Sequence, residues 1–325
     1  MKKNIAVVYG GDSSEFVVSV KSSKNVFESI NPALYNVWKV QVKGPDWEVY
    51  ENDQVIAFVD KNDFSFIRNG QTVKFDFAYI TIHGTPGEDG KLQGYFDMVK
   101  LPYSTCGVYS SALTFNKYFC SNYLRNFGVP MAKSVRLFKG DHVDADRLVE
   151  ELGLPLFVKP NAGGSSFGVT KVKEKDQLLG ALEAAINESA DILIEQFIDG
   201  KEFTCGLVKL SDQELIFPVT EVIPQNEFFD YEAKYTHGKT DEITPARISA
   251  ELTQKIQQLS SRIYDLCDCS GIVRMDYILK DNEFYFLEVN TTPGMTATSF
   301  VPQQIAAMNR TLGDVLGLII EDKLK

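Results

Sequence analysis

With 325 residues and 44% hydrophobic content, the chain is too long for one small core and suits two or three packed domains. A net charge of -11 at pH 7 excludes nucleic acid and anionic membrane surfaces as natural partners, because both demand basic surface. Five cysteines without a Cys-x-x-Cys pair fit reduced thiols in a cytoplasm better than a disulfide or zinc framework. The apolar run IAVVY at 5–9 is too short for a signal peptide, and no stretch has the length of a membrane span. A cytoplasmic chain is expected.

Residues 5–9 read as a buried parallel strand, and Gly10-Gly11-Asp12-Ser13-Ser14-Glu15 as a turn into a helix from about Val18 to Ile30. The turn lacks the GxGxxG spacing of a dinucleotide fingerprint. Ser13 or Ser14 is a natural N-cap. Glu15, at a strand's carboxyl end and a helix's start, sits where open α/β sheets bind ligands and is placed to receive an ammonium group. Further strands are expected at 37–42 and 73–82, with an irregular region from Gly44 to Gly70 between them. The second of these runs into HGTPGEDG, His83 to Gly90, a Gly- and Pro-rich loop that sets His83 at another carboxyl end.

One helix is expected from Tyr109 to Phe127, with Leu113, Cys120, Leu124 and Phe127 on a face and Gly128 and Pro130 as its stop. Lys117 falls inside it, and a domain boundary falls near Cys106. Segment 156–169, LFVKPNAGGSSFGV, reads as strand, loop, strand. Its glycines, Ser165 and Ser166 offer unhindered donors to phosphate oxygens, and Lys159 adds a point charge. No Gly-Lys-Ser/Thr follows, so it is not a Walker A loop. Asp176 is the expected cap of a packing helix carrying Leu178, Leu179, Leu182, Ala185 and Ile186. A polar stretch at 225–247, with Lys234 and Tyr235, has the length of a functional loop. Core helices are expected at 249–267 and after Thr311.

The stretch from Gly271 to Ser299 concentrates the chemistry. Two apolar runs around Lys280-Asp281-Asn282-Glu283 read as a hairpin. Alternation puts Arg274 and Asp276 on one face, and Glu288 with Asn290 and Phe286 on one face. A three-residue loop centred on Asn282 sets Asp276 opposite Glu288 and Arg274 opposite Asn290. Facing carboxylates about 5 Å apart repel unless a cation lies between them, and oxygen ligands suit Mg²⁺. Asn290-Thr291-Thr292-Pro293-Gly294 is a tight exit able to turn backbone N–H groups toward a ligand.

In chain order, GGDSSE with Val18 and Ser19, HGTPGEDG, SALTFNK ending at Lys117, KPNAGGSSFG, the segment 192–204 (ILIEQFIDGKEFT), YEAKY, and R-x-D…E-x-N-T-x-P-G-M-T…S resemble the motifs of ATP-grasp ligases, and of the D-alanine:D-alanine ligase family in particular. The resemblance covers essentially the whole chain. It implies an α/β protein of three domains: a Rossmann-like, doubly wound domain at 1–105, a central ATP-grasp α+β subdomain with the Gly/Ser-rich flap at 106–190, and a second such subdomain with the metal and second-substrate site at 191–325. It further implies ATP and D-alanine as substrates, two Mg²⁺ ions with Mn²⁺ as substitute, and a homodimer. By the same resemblance the catalytic set is Glu15, Ser165, Tyr235, Arg274 and Gly294. Glu15, Val18, His83, Arg274, Gly294 and Ser299 surround the amino acids. Lys117, Lys159, Ser165, Ser166, Glu195, Phe197, Ile198, Glu202, Lys234 and Phe286 hold ATP, and Asp276, Glu288 and Asn290 hold metal. Asn116, Gly163 and Gln196 replace an aspartate, an acidic residue and a lysine common in relatives. Tyr235 is the family's mark of D-alanine rather than D-lactate as acceptor. Ligases of D-lactate or D-serine, and a nonenzymatic nucleotide-binding regulator, are the alternatives; a regulator should have lost Asp276, Glu288 or Arg274, and none is missing.

Overall fold

The run from Ile5 to Val8 carries no polar side chain, so its strand needs cover on both faces. The computed structural model, which describes residues 2–163, 168–224 and 240–325, supplies it. Strand β1 (Lys3–Gly10) pairs in parallel with β2 (Tyr35–Lys43) and with β7 (Phe77–Ile80). Helix Phe16–Ser29 covers one face, where Val26 packs with Ile5, Val7 and Phe77. Helix Lys91–Val99 covers the other, where Leu92 and Phe96 pack with Ala6, Val8 and Ile80. The chain leaves β1 toward β2, while β7 lies on β1's other side. The switch point of this doubly wound sheet therefore falls between the carboxyl ends of β1 and β7.

The region from Gly44 to Gly70, expected to be irregular, is built of hairpins. Strands β3 (Asp46–Glu51) and β4 (Gln54–Phe58) extend the sheet, and β5 (Ser65–Arg68) forms a separate two-stranded sheet with β6 (Gln71–Lys74). The turns sit at Asn52-Asp53, with φ of 50° and 60°, and at Asn69-Gly70, with φ of 50° and 76°, the left-handed pair a two-residue hairpin requires. Strands of four to six residues are too short to establish an apolar period. The expected strand at 73–82 is consequently two strands in separate sheets.

The central sheet has the order β10-β9-β11-β8, with β8 (Ser134–Phe138), β9 (Leu156–Pro160), β10 (Thr170–Val172) and β11 (Asp191–Gln196) all antiparallel. Strand β11 is paired on both edges within this sheet, so the sheet runs past the boundary expected at 190. Glu174, not Asp176, caps the turn into helix Leu178–Glu188 through a reciprocal pair with Gln177, and Leu179 is exposed.

The third sheet carries β12 (Lys201–Lys209), β13 (Glu214–Ile216), β14 (Thr220–Pro224), β15 (Thr240–Ile243), β16 (Val273–Lys280) and β17 (Glu283–Asn290). Helix Ala250–Leu266, started by the Ser249 hydroxyl accepting from Leu252 N at 3.2 Å, packs Ile256 and Ile263 against Phe203, Val273 and Met275. Helices Phe300–Ala307 and Leu312–Lys323 put Val301, Ile305, Val315 and Ile319 into the same core as Ile5, Val7 and Phe77. First and last segments thus share one hydrophobic core, which fixes the carboxyl end of β1 against the exit of β17. Among the described residues no helix is long and apolar enough to cross a membrane.

Candidate active site

Asp281 and Asn282, at φ of 50° and 61°, form a two-residue turn rather than the three-residue loop expected. Lys280 accordingly pairs with Glu283 and Tyr277 with Phe286, until one extra residue, Leu287, shifts the register. Beyond it Asp276 does lie opposite Glu288, and Arg274 opposite Asn290. The bulge also turns Leu287 and Glu288 to one side, where both line a cavity. Phe284 and Phe286 lie in the core below it and Val289 above, so the alternation changes phase there. Phe286, expected against ATP, is instead buried against Tyr277, with ring centroids 6.1 Å apart, and Leu287 takes the place on the cavity wall.

The cations expected to relieve the two carboxylates are partly the chain's own. Arg274 grips Asp276 with two bonds of 2.9 and 2.8 Å, and the Asn290 amide donates to Asp276 at 3.1 Å. Lys117 Nζ lies 3.2 Å from Glu288. Burial works to lower the Lys117 pKa, but Glu288, with Glu195 and Glu88 beyond it, prevails and holds the ammonium above its ordinary value.

Lys117 is not inside one long helix. The expected helix is two, Val108–Phe115 and Lys117–Arg125, broken at Asn116, which is extended (φ -90°, ψ 101°) and accepts from Phe119 N at 3.0 Å. Asn161, fully buried, supports the break. Its amide donates to Asn116 at 3.0 Å and to Asp191 at 2.7 Å, its side-chain oxygen accepts from Tyr118 N at 2.8 Å, and its carbonyl from Lys117 N at 3.1 Å. It follows Lys159-Pro160 directly, yet no ligand chemistry singled it out; its role is visible only once β9 stands beside the helix start.

A cavity of about 710 Å³ lies between the central and third sheets. Lys117, Lys159, Glu195, Phe197, Ile198 and Glu202, residues expected to hold ATP, all line it, with Asp276 and Glu288 also on its wall. Lys159 is ion-paired with Glu195, both largely buried. Lys171 lies 3.9 Å from the centroid of the Phe197 ring. Glu221, buried on the same wall, was not foreseen; a hydrogen bond from Arg247 at 2.9 Å keeps its carboxyl below the ordinary range despite burial. Ser165, Ser166, Lys234 and Tyr235 lie outside the described residues.

A second cavity, of about 310 Å³, brings together Glu15, Val18, His83, Arg274, Gly294 and Ser299, and shares Lys117, Gly163 and Glu288 with the first. Glu15 itself occupies the N-cap position of its helix, and Ser13 is used otherwise: its hydroxyl donates to the His83 carbonyl at 2.7 Å. His83 is buried beside the Ser22 hydroxyl at 3.3 Å, and burial holds its imidazole below the usual pKa, against the pull of Glu15. Gly84 has φ of 70°, and a Cβ there would lie 2.8 Å from the Ser13 side chain, so only glycine brings these two loops together. Arg274 lies 5.3 Å from the Phe300 ring centroid. Ser299 accepts from Thr296 N at 3.1 Å, which closes the turn after Gly294.

Glu88 was overlooked within HGTPGEDG. It accepts from Gly84 N at 2.7 Å and from Thr292 N at 3.3 Å, tying the β7 loop to the exit of β17. Burial, and then the neighbouring Glu15, push its carboxyl up to about 7. Among the described residues no group of three His, Cys, Asp or Glu converges as a metal cluster. Asp276, Glu288 and Asn290 nevertheless present oxygen donors on one edge of the hairpin, the hard donor set that suits Mg²⁺ when phosphates complete its shell.

Two family models match almost end to end, that of the D-ala D-ala ligase N-terminus over residues 4–106 and that of the C-terminus over residues 123–321. The chain belongs to the D-alanine–D-alanine ligase family. It is 56% identical to the D-alanine–D-alanine ligase of Parabacteroides distasonis over 100% of this chain and 98% of that one, and 53% identical to that of Bacteroides fragilis over 99% and 100%. Among solved structures it is similar to the VanG D-Ala:D-Ser ligase from Enterococcus faecalis, with a TM-score of 0.87 and 32% identity over 99% of each chain. A D-alanine–D-alanine ligase from Bacillus anthracis complexed with ATP aligns with a TM-score of 0.80 and 30% identity over 99% of this chain and 97% of that one. The family's ATP-grasp α/β fold is the one described above.

Proposed function

We propose that the chain joins two D-alanine molecules at the cost of ATP for peptidoglycan precursor synthesis, and that the two cavities hold the nucleotide and the amino acids respectively. The observation that carries the placement is their shared edge: Lys117, Gly163 and Glu288 line both, so a phosphate in one reaches a carboxylate in the other.

The first D-alanine sits by its ammonium against Glu15, beside Val18 and His83, with its carboxylate toward the shared edge. That carboxylate attacks the γ-phosphate of ATP, giving an acyl phosphate and ADP. The second D-alanine, its carboxylate held at Ser299, attacks the acyl carbon through its amine, and phosphate leaves. Arg274 and the Gly294 N–H face the developing oxyanion; removing one such donor costs roughly 3 to 4 kcal/mol in transition-state stabilisation. Lys117 and Lys159 neutralise phosphate, Glu195 with the backbone of Phe197 and Ile198 receives adenine, and Glu202 receives ribose. Asp276, Glu288 and Asn290 would hold two Mg²⁺, or Mn²⁺, which would supply positive charge to offset that of the phosphates. Ser165, Ser166, Lys234 and Tyr235 close over the phosphates by the family resemblance. A division into three units, with β11 belonging to the central one rather than a boundary at 190, a homodimer and a cytoplasmic location belong to the same reading.

The test is ADP release from ATP and Mg²⁺ with D-alanine, L-alanine, or D-alanine plus D-lactate or D-serine, with mass analysis of products. Release dependent on D-alanine, with the dipeptide as product, is expected. No release with any of them, although ATP binds, would overturn the reaction.

A further inference from the structure

Glu242 lies on β15, and neither the motifs nor the chemistry above makes use of it. Its side chain is partly buried in the wall of the second cavity, among Arg274, Asn290, Gly294, Thr298, Ser299 and Phe300. Its place is fixed from the opposite side. Gln303, in the first turn of helix Phe300–Ala307, donates one amide hydrogen to Glu242 Oε2 at 2.6 Å and another to the Thr298 carbonyl at 2.8 Å. Among the described residues Oε1 receives no hydrogen bond. A second acid is thus built into the end of the cavity that holds Arg274 and Ser299, where the acceptor's carboxylate is already expected.

A carboxylate there raises the energy of any acceptor whose net charge is negative, because charges in a partly dry cavity are weakly screened. D-Alanine and D-serine enter as zwitterions, whose ammonium compensates. D-Lactate carries its negative charge alone. We propose that Glu242 is a specificity residue that selects ammonium-bearing acceptors over hydroxy acids by charge, with Gln303 holding it in position. The inference rests on the second cavity's being the acceptor site.

The test measures kcat/KM of the full chain for D-alanine, D-serine and D-lactate as acceptor, with ATP and the first D-alanine saturating. Glu242→Gln, of equal shape, is expected to lower the D-alanine to D-lactate ratio about tenfold, equivalent to about 1.4 kcal/mol. The D-alanine to D-serine ratio should move less than about twofold, because both are zwitterions. Glu242→Ala should move the first ratio the same way, and Glu242→Asp, which keeps the charge, should restore it. A general loosening of the wall would change both ratios together, and that outcome overturns the proposal, as does a D-alanine to D-lactate ratio unchanged in both neutral variants. Ser299→Ala, run alongside, separates the premise from the inference. An unchanged acceptor KM there overturns the placement of the acceptor, whereas a raised KM there with an unchanged Glu242→Gln ratio overturns only the role of Glu242.

Discussion

Glu88 joins two lobes through a carboxylate that is costly to ionise, so its replacement by glutamine should change stability in a pH-dependent way. The folded-state value is raised, from 4.5 to about 7. Below pH 4.5 the carboxyl is protonated in both folded and unfolded chains, and no penalty exists. Between these values the folded chain holds a proton that the unfolded chain has lost, so stability falls as pH rises. Above pH 7 the full penalty applies. At about 1.4 kcal/mol per pH unit it would be roughly 3 kcal/mol; the side chain is partly open to the cavity, so about half of that is expected after screening. Glutamine removes the penalty, but its amide can accept only through one atom, and one of the N–H groups of Gly84 and Thr292 loses its acceptor at about 1 kcal/mol. Glu88→Gln should therefore be less stable than the parent at pH 5 and equal or more stable at pH 8. For a chain of this size the relative Tm should shift by about 2 °C between the two pH values. Thermal unfolding of both proteins, without ligands, measures it. A Tm difference constant to within about 1 °C from pH 5 to pH 8 would refute the reasoning.

Glu288→Gln should cost roughly 100-fold or more in turnover, while ADP binding without divalent ions becomes tighter because Lys117 loses its competitor; calorimetry in chelator checks the sign, and weaker binding would contradict it. Asn116→Ala removes a helix cap and a partner of buried Asn161, so a loss of about 1 to 2 kcal/mol in urea unfolding is expected, together with a raised KM for ATP from misplaced Lys117. An unchanged KM would show that Asn161 alone fixes the helix start. Gly271 has φ of 70°, and a Cβ there would stand 1.8 Å from the Ser104 carbonyl oxygen. Gly271→Ala should accordingly destabilise by about 3 kcal/mol or more, and a loss below about 1 kcal/mol would mean that the 104–106 segment yields.

The parts legible in the sequence are those in which chemistry and local geometry coincide. His83 and Glu15 stand at strand ends because a buried strand must end in a loop at the sheet's edge, and the apolar runs mark those strands. The opposition of Asp276 and Glu288 was foreseen for an incomplete reason. A two-residue turn and a bulge at Leu287 add up to the same displacement as one three-residue loop, so the register at the catalytic end agrees while the face assigned to Phe286 does not. Bulges leave no compositional mark, and Leu287 and Phe286 are equally apolar. Asn116 stayed hidden for a related reason. The periodicity of Leu113, Cys120 and Leu124 continues across it, and the break becomes necessary only when Asn161, 45 residues away, arrives beside it. Glu88, Asn161, Glu221 and Glu242 act through partners distant in sequence, and spacing along the chain cannot reveal them.

On the proposed assignment, the site's charges explain how a chain of net charge -11 would hold three anionic phosphates. Among the described residues, three cations proposed for phosphate or oxyanion are paired with acids proposed for metal or nucleotide: Arg274 with Asp276, Lys117 with Glu288, and Lys159 with Glu195. All six side chains are more than two-thirds buried, so an unpaired charge among them would cost several kcal/mol. The pairs balance charge within the cavity walls, and on the proposed assignment they would exchange partners on binding a metal–nucleotide complex. A triphosphate alone would free the lysines but leave Asp276 and Glu288 facing anions, and divalent ions alone would face Arg274 and Lys117. Only the two together would match all three pairs, so on the proposed assignment the metal–nucleotide complex, rather than either component, is the species these pairs favour.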